Sequence, residues 1–316
     1  MKNEIIVFST SSLPSLVETV CQNLTSNTRT AYGRHVLAFL EFCQNANLPI
    51  DFAATENFKN ELISNGRGVA SINQALAAIR FFVRQSARLG FISHDQAERI
   101  AAINSIKIRG KKIGNWLSKS QLETLLQPSI ISTTSLLDKR DRVILALLGG
   151  AGLRRSEARL LTVEQIQLRE NRWLIIDLVG KGQVTRSIPI AAWIKQILDD
   201  WTQAAGITSG VILRQCSWAD GASTRPTRNK LFVSDLPISA ETIRNVVLRR
   251  SSSLLGVVIA PHDLRRSFAR LARLNGCPLE QIQLSLGHAS ISTTQIYLGS
   301  ELNLKESASD FLHLEI

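Results

Sequence analysis

The sequence lacks the marks of several large protein classes. Its four cysteines, Cys21, Cys43, Cys216 and Cys277, form no CxxC pair and no cluster with histidine. A disulfide-built secreted scaffold and a zinc-ligand pattern are both missing, so the four read as reduced, mostly buried thiols of a cytoplasmic protein. The longest apolar run, Val143 to Leu153, contains three glycines. It falls well short of the roughly 20 residues that a spanning helix needs. The N-terminal MKNEIIVFSTSS has only a short apolar stretch and carries Glu4, so it does not read as a signal peptide. Tyrosine is scarce: Tyr32 and Tyr297 are the only two, and any chemistry on a phenol has only those candidates. There is no carboxylate cluster of metal-site type, and the GKG at 180–182 is too short for a phosphate-binding loop. No internal repeat is found.

What is present is a long, moderately apolar, basic chain. With 316 residues, 44% hydrophobic and 20% charged, it suits one large domain or two ordinary ones with a sizeable core, not a disordered tail. Lys plus Arg number 37 against 26 Asp plus Glu, a formal net charge of +11. Such an excess favours a polyanionic partner, because basic side chains neutralise phosphates and release counterions. Composition alone does not choose between nucleic acid, an anionic membrane surface and mere solubility.

The first hundred residues read as helices. Apolar residues recur at helical spacing in Leu13 to Leu24, Thr30 to Phe42, Phe58 to Ile63 and Ile72 to Phe82. Ser26 or Asn27 is placed to cap the second, and Gly66 and Gly90 to stop the third and fourth. The segment IKIRGKKIG at 106–114 breaks the pattern with four cations, two glycines and no acid. It reads either as a solvated loop or as a tether lying along a phosphate backbone. Beyond it the pattern is mixed. SKSQ at 118–121 resembles a capping box, and Asp138 to Leu148 reads as a helix ending at Gly149-Gly150. Trp173 to Val179 and Gln183 to Ile190 read as a hairpin turning at 180–182. Helices follow at Ala191 to Ala204 and Ala240 to Leu255, with three shorter ones from Asp263 to Tyr297, and Arg214 to Lys230 reads as a basic surface loop. The expected organisation is a helical domain at 1–106, a basic linker at 107–115, and a mixed domain at 116–316 that includes a C-terminal tail.

The second domain scatters cationic and hydrogen-bonding residues at places suited to exposed functional groups. Arg154 and Arg155 open a helix after Ala151-Gly152-Leu153, and Lys181 sits at a hairpin tip. His262 and Arg265 are three apart in PHDLRRS, so on a helix start they face the same way. His288 follows Leu286-Gly287, and Tyr297 lies nine residues further on. Singly, each has a structural explanation; their order and spacing together carry the reading.

These strings resemble the tyrosine recombinases, the phage-integrase and Xer group. The matching segments are AGLRRSEARLL at 151–161, GKGQVTRSIPI at 180–190, PHDLRRSFA at 261–269 and LGHASISTTQIYLG at 286–299. SNTRTAYGRHVLAFLEFC at 26–43 is similar to the first helix of the family's core-binding domain. The resemblance covers nearly the whole chain in family order. It implies a mainly α fold: an N-terminal all-α, SAM-like core-binding bundle, then an α+β catalytic domain with a small antiparallel sheet, the DNA breaking-rejoining enzyme fold. It also implies a site-specific recombinase that cuts and rejoins duplex DNA through a 3′-phosphotyrosine, without metal or nucleotide cofactor.

The same resemblance assigns roles. Arg154 and Arg265 match the two catalytic arginines, Lys181 the hairpin lysine, His262 the histidine of the HxxR box, His288 the LGH histidine and Tyr297 the nucleophile. Glu157 matches an acidic position that supports the first arginine. Departures are Thr185, where a charged hairpin residue is frequent, and the long basic loop at 214–230. Arg29, Arg34, Arg80, Arg84 and Arg88 in the helical domain and Lys107, Arg109, Lys111 and Lys112 in the linker are candidates for DNA contacts. Arg80, Arg84 and Arg88 recur every four residues, which makes one helix face. The implied partners are double-stranded recombination sites and other recombinase subunits, as a homo-tetramer or with a second recombinase, and no membrane. The apolar tail residues Phe311, Leu312, Leu314 and Ile316 pack either on their own domain or on a neighbouring subunit. About 25 residues precede the core-binding string, so a simple two-domain member is expected. Rival readings are a type IB topoisomerase-like relaxing enzyme and a non-catalytic DNA-binding regulator on the same scaffold. The recombination site, and whether the role is integration, excision, dimer resolution or movement of a mobile element, stay open.

Overall fold

A computed structural model describes residues 13–107, 115–128, 135–180, 184–218, 231–288, 290 and 294. The chain divides into two compact units, Met1–Lys111 and Lys112–Ile316, each with its own apolar core. Among the described residues no helix is long and apolar enough to cross a membrane.

The first unit is helical: α1 Leu13–Cys21, α2 Ser26–Asn45, α3 Phe52–Ser64, α4 Val69–Arg88 and α5 His94–Ala101. The last of these carries little apolar signal of its own. Helix α4 buries Ile72, Ala75, Leu76, Ile79, Phe82, Val83 and Ser86. That is the i, i+3, i+4, i+7 stripe of a helix with one face in a core. Phe58 meets Phe39 and Phe42, each pair with ring centroids 5.4 Å apart. Asp51 and Ser93 cap α3 and α5 by accepting from the amides of Ala54 and Gln96. One expectation needs correction. Helix α2 starts with Ser26 already inside, its N-cap is Thr25, and the Thr25 hydroxyl pairs with that of Thr28 at 2.9 Å. The run TSNT offers several capping residues in a row, and local sequence does not choose among them. Gly66 and Gly90 do lie just past α3 and α4, both at positive φ.

The second unit packs helices around a small sheet. The capping box at Ser118 and Gln121 opens α6 Lys119–Leu126. Helix α7, Leu136–Leu145, does not run on as an α-helix to the glycines: Ala146–Gly150 widens into a π turn, with the Ala151 amide donating to the Ala146 carbonyl at 3.0 Å. Residues Val143 to Leu148 of this stretch are completely buried. The turn delivers the chain to α8 Arg155–Leu160. Next come β1 Ile166–Arg169, β2 Arg172–Val179 and β3 Thr185–Ile190, a three-stranded antiparallel sheet in sequence order. Helices α9 Ala192–Ala205, α10 Ala240–Leu255, α11 Pro261–Leu274 and α12 Leu279–Leu286 follow among the described residues.

The assignment of 214–230 to a loop is corrected at its start. Arg214–Trp218 is strand β4, paired antiparallel with β5 Leu231–Pro237, with Cys216 opposite Val233. Cys216 and Val233 face the core while neighbouring residues face out, so a polar composition hides a one-sided strand. Residues 219–230 lie outside those described. An ionic group, buried except for Arg249, ties α7 to α6 and α10: Asp138 pairs with Arg250, Asp141 with Arg140 and Arg249, and Arg250 also donates to the Leu125 and Gln127 carbonyls.

Candidate active site

The site forms where α8, β3, α11 and the end of α12 meet. Arg154 is the N-cap of α8, and Glu157, in the first turn, folds back to accept from the Arg154 amide at 2.7 Å. Glu157 is 5% exposed, and a carboxylate so buried needs cationic partners. It has three arginines. Arg154 donates from Nη1 at 2.8 Å, Arg186 on β3 donates from both terminal nitrogens at 2.8 and 2.9 Å, and Nη1 of Arg265 lies 3.8 Å away. Burial pushes the Glu157 pKa up. The bonds from Arg186 and from the Arg154 backbone and side chain, with the Arg186 charge, outweigh that and bring it to about 2.

The end of α12, with Gly287 after it and Gly152 before α8, supplies carbonyls to the same arginines. Arg265 donates to the Gly152 carbonyl at 2.5 Å and to that of Leu286, Arg154 to Gly287 at 3.2 Å, and Arg186 to Ser285 at 3.1 Å. Gly287 ends α12 at φ +60°, a conformation that costs a residue with a Cβ. A Cβ there would also lie within 3.0 Å of Arg186. The bend is therefore both a helix stop and the seat of the Arg186 side chain.

His288 follows this bend. Its Nδ1 is 2.9 Å from the Thr294 hydroxyl, and its amide donates to Gln283 at 3.2 Å. Burial first, then the charges of Arg265, Arg154 and Arg186 and the nearby His262, lower its pKa to about 4. His262 stands in the first turn of α11, after Pro261 at the helix start. Its pKa is lowered by desolvation on its protein-facing side, then by Arg266 and Arg265, against an upward push from Asp263, with Arg154 adding to the lowering. Both imidazoles are held towards the neutral form.

The residues expected together from sequence are thus partly placed. Arg154, Glu157, His262, Arg265 and His288 share one neighbourhood. Arg265 is 2% exposed, far more enclosed than a residue read as an exposed phosphate grip, whereas the Arg154 side chain is 29% exposed. Lys181 and Tyr297 lie outside the described residues. The described root of the Lys181 hairpin is close: a Cβ on Gly180 would be 3.3 Å from Nη1 of Arg186 and 3.5 Å from Nη1 of Arg154.

Arg186 itself was missed, although it lies within GKGQVTRSIPI. The available signal was strand periodicity. Arg186 shares the inward face of β3 with Ile188 and Ile190, and a cation on a buried strand face calls for a buried counter-charge.

In the first unit the DNA-contact candidates are spread out. Arg29, Arg34, Arg84, Arg88 and Lys107 are exposed. Arg29 donates to the Gln22 and Leu24 carbonyls. Arg80 donates to the Ile103 carbonyl and the Ser105 hydroxyl, and Arg84 forms a two-bond pair with Glu98. Arg80, Arg84 and Arg88 do share one face of α4, lining a shallow groove with Phe81, but two of the three are engaged by their own unit. Arg109, Lys111 and Lys112 lie outside the described residues. No group of three or more His, Cys, Asp or Glu that could hold a metal occurs among the described residues.

Comparison with known proteins finds relatives along nearly the whole chain. The model of the phage integrase family matches residues 115–303. Tyrosine recombinase XerC of Pseudomonas syringae pv. tomato is 26% identical over 298 residues, covering 92% of this chain and 91% of that protein. XerC of Thermodesulfovibrio yellowstonii is 28% identical over 281 residues, covering 88% and 87%. Among solved structures, the XerH site-specific recombinase bound to palindromic difH substrate superposes with a TM-score of 0.68 at 21% identity, covering 91% of this chain and 81% of that one. A lambda integrase fragment bound as a dimer to a COC′ core site gives 0.66 at 18% identity, covering 94% and 98%. These two are likenesses of fold. With the family model spanning more than half of the sequence over the segment that holds the arginine–glutamate site, the protein belongs to the phage integrase family and is a tyrosine recombinase.

Proposed function

We propose that the protein recombines double-stranded DNA at specific sites through a covalent phosphotyrosine on Tyr297. The observation that carries the reading is the convergence of Arg154 and Arg265 on one buried carboxylate, Glu157, with His262 and His288 close enough to both arginines to be shifted by their charges. A phosphodiester repels an anionic nucleophile and gathers charge on its non-bridging oxygens during attack, so fixed cationic donors are what the reaction needs. Arg154 presents the more exposed guanidinium. Arg265, held by the Gly152 and Leu286 carbonyls, sets a second fixed positive charge beside it. His288, neutral near pH 7, gives a further hydrogen bond to the same oxygens.

The Tyr297 oxygen bonds to phosphorus as its proton passes to His262, whose lowered pKa keeps it neutral and able to accept. The bond to the 5′ oxygen breaks, and Lys181 supplies the proton that oxygen takes. The 3′-phosphotyrosine conserves the bond energy for attack by a 5′ hydroxyl of another strand. Exchanging two duplexes breaks four strands and uses four nucleophiles, which supports a tetramer on two sites. The basic linker at 107–115 and the arginines of the first unit supply the backbone contacts around the duplex. On this reading the domains are the core-binding unit at 1–106 and the catalytic unit from 116, working in the cytoplasm.

The test has two stages. DNA retained by the Tyr297→Phe protein is sequenced to find the site. Two copies of that site in one plasmid are then treated with the unaltered protein. Excised or inverted products are the expected result. Relaxation of supercoils without exchange, or binding without either, contradicts the reading.

A further inference from the structure

We propose that Arg186 is a positioning residue for the arginine pair: it neutralises Glu157 from the buried side and so leaves the charge of Arg154 for the substrate phosphate. The inference rests on the recombinase reading above and deepens it. Arg186 lies on β3, and its side chain is 10% exposed against 29% for Arg154. Its Nη1 and Nη2 donate to the two oxygens of Glu157 at 2.8 and 2.9 Å. Such a fork-to-fork pair fixes distance and orientation together, which a lysine does not do. Arg154 is left with one side-chain bond to that carboxylate, from Nη1 at 2.8 Å. Three guanidiniums meet one carboxylate here, since Nη1 of Arg265 lies 3.8 Å from it. Once the enclosed fork of Arg186 has balanced Glu157, the charges of Arg154 and Arg265 are in excess, and Arg154 presents its own at the more open side.

Arg186 also braces what holds the pair. Its Nε donates to the Ser285 carbonyl at 3.1 Å, and the next two carbonyls, of Leu286 and Gly287, accept from Arg265 and Arg154. Its Cδ, Nε and Nη1 fill the space beside Gly287, within 3.0 Å of where a Cβ would stand. One side chain thus ties the carboxylate on α8 to the carbonyls at the end of α12. Without the fork, both Glu157 oxygens fall to Arg154, whose guanidinium closes on the carboxylate as a two-bond pair. A displacement of about 1 Å in a group placed for the transition state costs on the order of a hundredfold in rate. The loss falls on charge stabilisation at the phosphate, the task of the arginine pair.

The experiment removes the charge that the pair serves. Two nicked duplexes share the sequence retained by the Tyr297→Phe protein. One carries the ordinary phosphate at the point of attack, the other a methylphosphonate, in which a methyl group replaces a non-bridging oxygen. The methylphosphonate is uncharged, so it does not repel the nucleophile as an anion, and it depends less on a pair of guanidiniums. The leaving 5′ oxygen is the same in both, so a fault in its proton donor slows both substrates alike. Full-length Arg186→Gln and Arg186→Lys are expected to form adduct about 100-fold more slowly than the unaltered protein on phosphate, and within about tenfold of it on methylphosphonate. Arg154→Gln should show the same preference. Both rates are taken on one protein sample, so any unfolded fraction cancels in their ratio, and Arg186→Lys keeps the buried charge. Equal loss on both substrates, or no loss on phosphate, overturns the proposal while Arg154→Gln still shows the preference. An unaltered protein that forms no adduct on phosphate, or an Arg154→Gln that is slowed equally on both, overturns the recombinase chemistry itself and this inference with it.

Discussion

Replacing Glu157 by glutamine removes one negative charge and leaves the shape of the side chain almost unchanged. The structure sets the size of the effect. Glu157 is buried among three arginines, and its pKa is about 2 against an ordinary 4.5. That difference is worth about 3 kcal/mol of folding stability at pH 7. Because the folded value lies below the unfolded one, the stabilisation is fully present above about pH 4.5 and is lost as pH falls towards 2. At pH 3.5 about 2 kcal/mol remains. Glutamine also strands the arginine charges, the costly way to break a buried pair. All five tryptophans lie between 116 and 218, and residues 1–111 contain none, so tryptophan fluorescence follows the second unit alone. Urea unfolding read this way should place Glu157→Gln about 3 kcal/mol below the unaltered protein at pH 7, with the gap shrinking to about 2 at pH 3.5. Other groups titrate in both proteins, so the difference isolates Glu157. A gap that does not change with pH, or none at pH 7, refutes the reasoning.

Three further outcomes follow from the same geometry. Gly287→Ala and Gly276→Ala both force a residue with a Cβ into positive φ, at a cost of about 1–2 kcal/mol each. Only at 287 does the new methyl meet Arg186, so adduct formation should fall at 287 and hold at 276; equal activity would contradict the seat assigned to Arg186. The ring proton signals of His288 should titrate by NMR with a midpoint of about 4, leaving the ring neutral at pH 7, and a midpoint near 6.5 would contradict its placement among the arginines. Arg154→Lys keeps the charge but loses the fork that reaches Glu157 and Gly287 together. Adduct formation should drop about 100-fold with DNA binding retained, measured on one nicked duplex.

Much of this was legible in the sequence where the signal is local. The apolar stripe of α4, the Ser118 capping box and the start of α8 at Arg154 each depend on residues within a few positions. The β2–β3 hairpin was also legible, because branched residues flank a glycine turn. Strands β1 and β4 were not: IQLR and RQCSW are short and polar, and they become strands only by pairing with partners from elsewhere in the chain. Within the site, order and spacing pointed to Arg154, His262, Arg265 and His288. What spacing does not carry is burial. That Arg265 would be enclosed by backbone carbonyls, and that Arg186 would share Glu157 with Arg154, depends on contacts between residues 29 to 113 positions apart.

The most direct test of the central claim is chemical. The protein is mixed with a nicked duplex of the sequence it retains, denatured, digested and analysed by mass spectrometry. The expected result is a peptide carrying a 3′-linked nucleotide on Tyr297, with Tyr297→Phe giving bound DNA and no adduct. The absence of a covalent species from the unaltered protein, or an adduct on any other residue, would contradict the account.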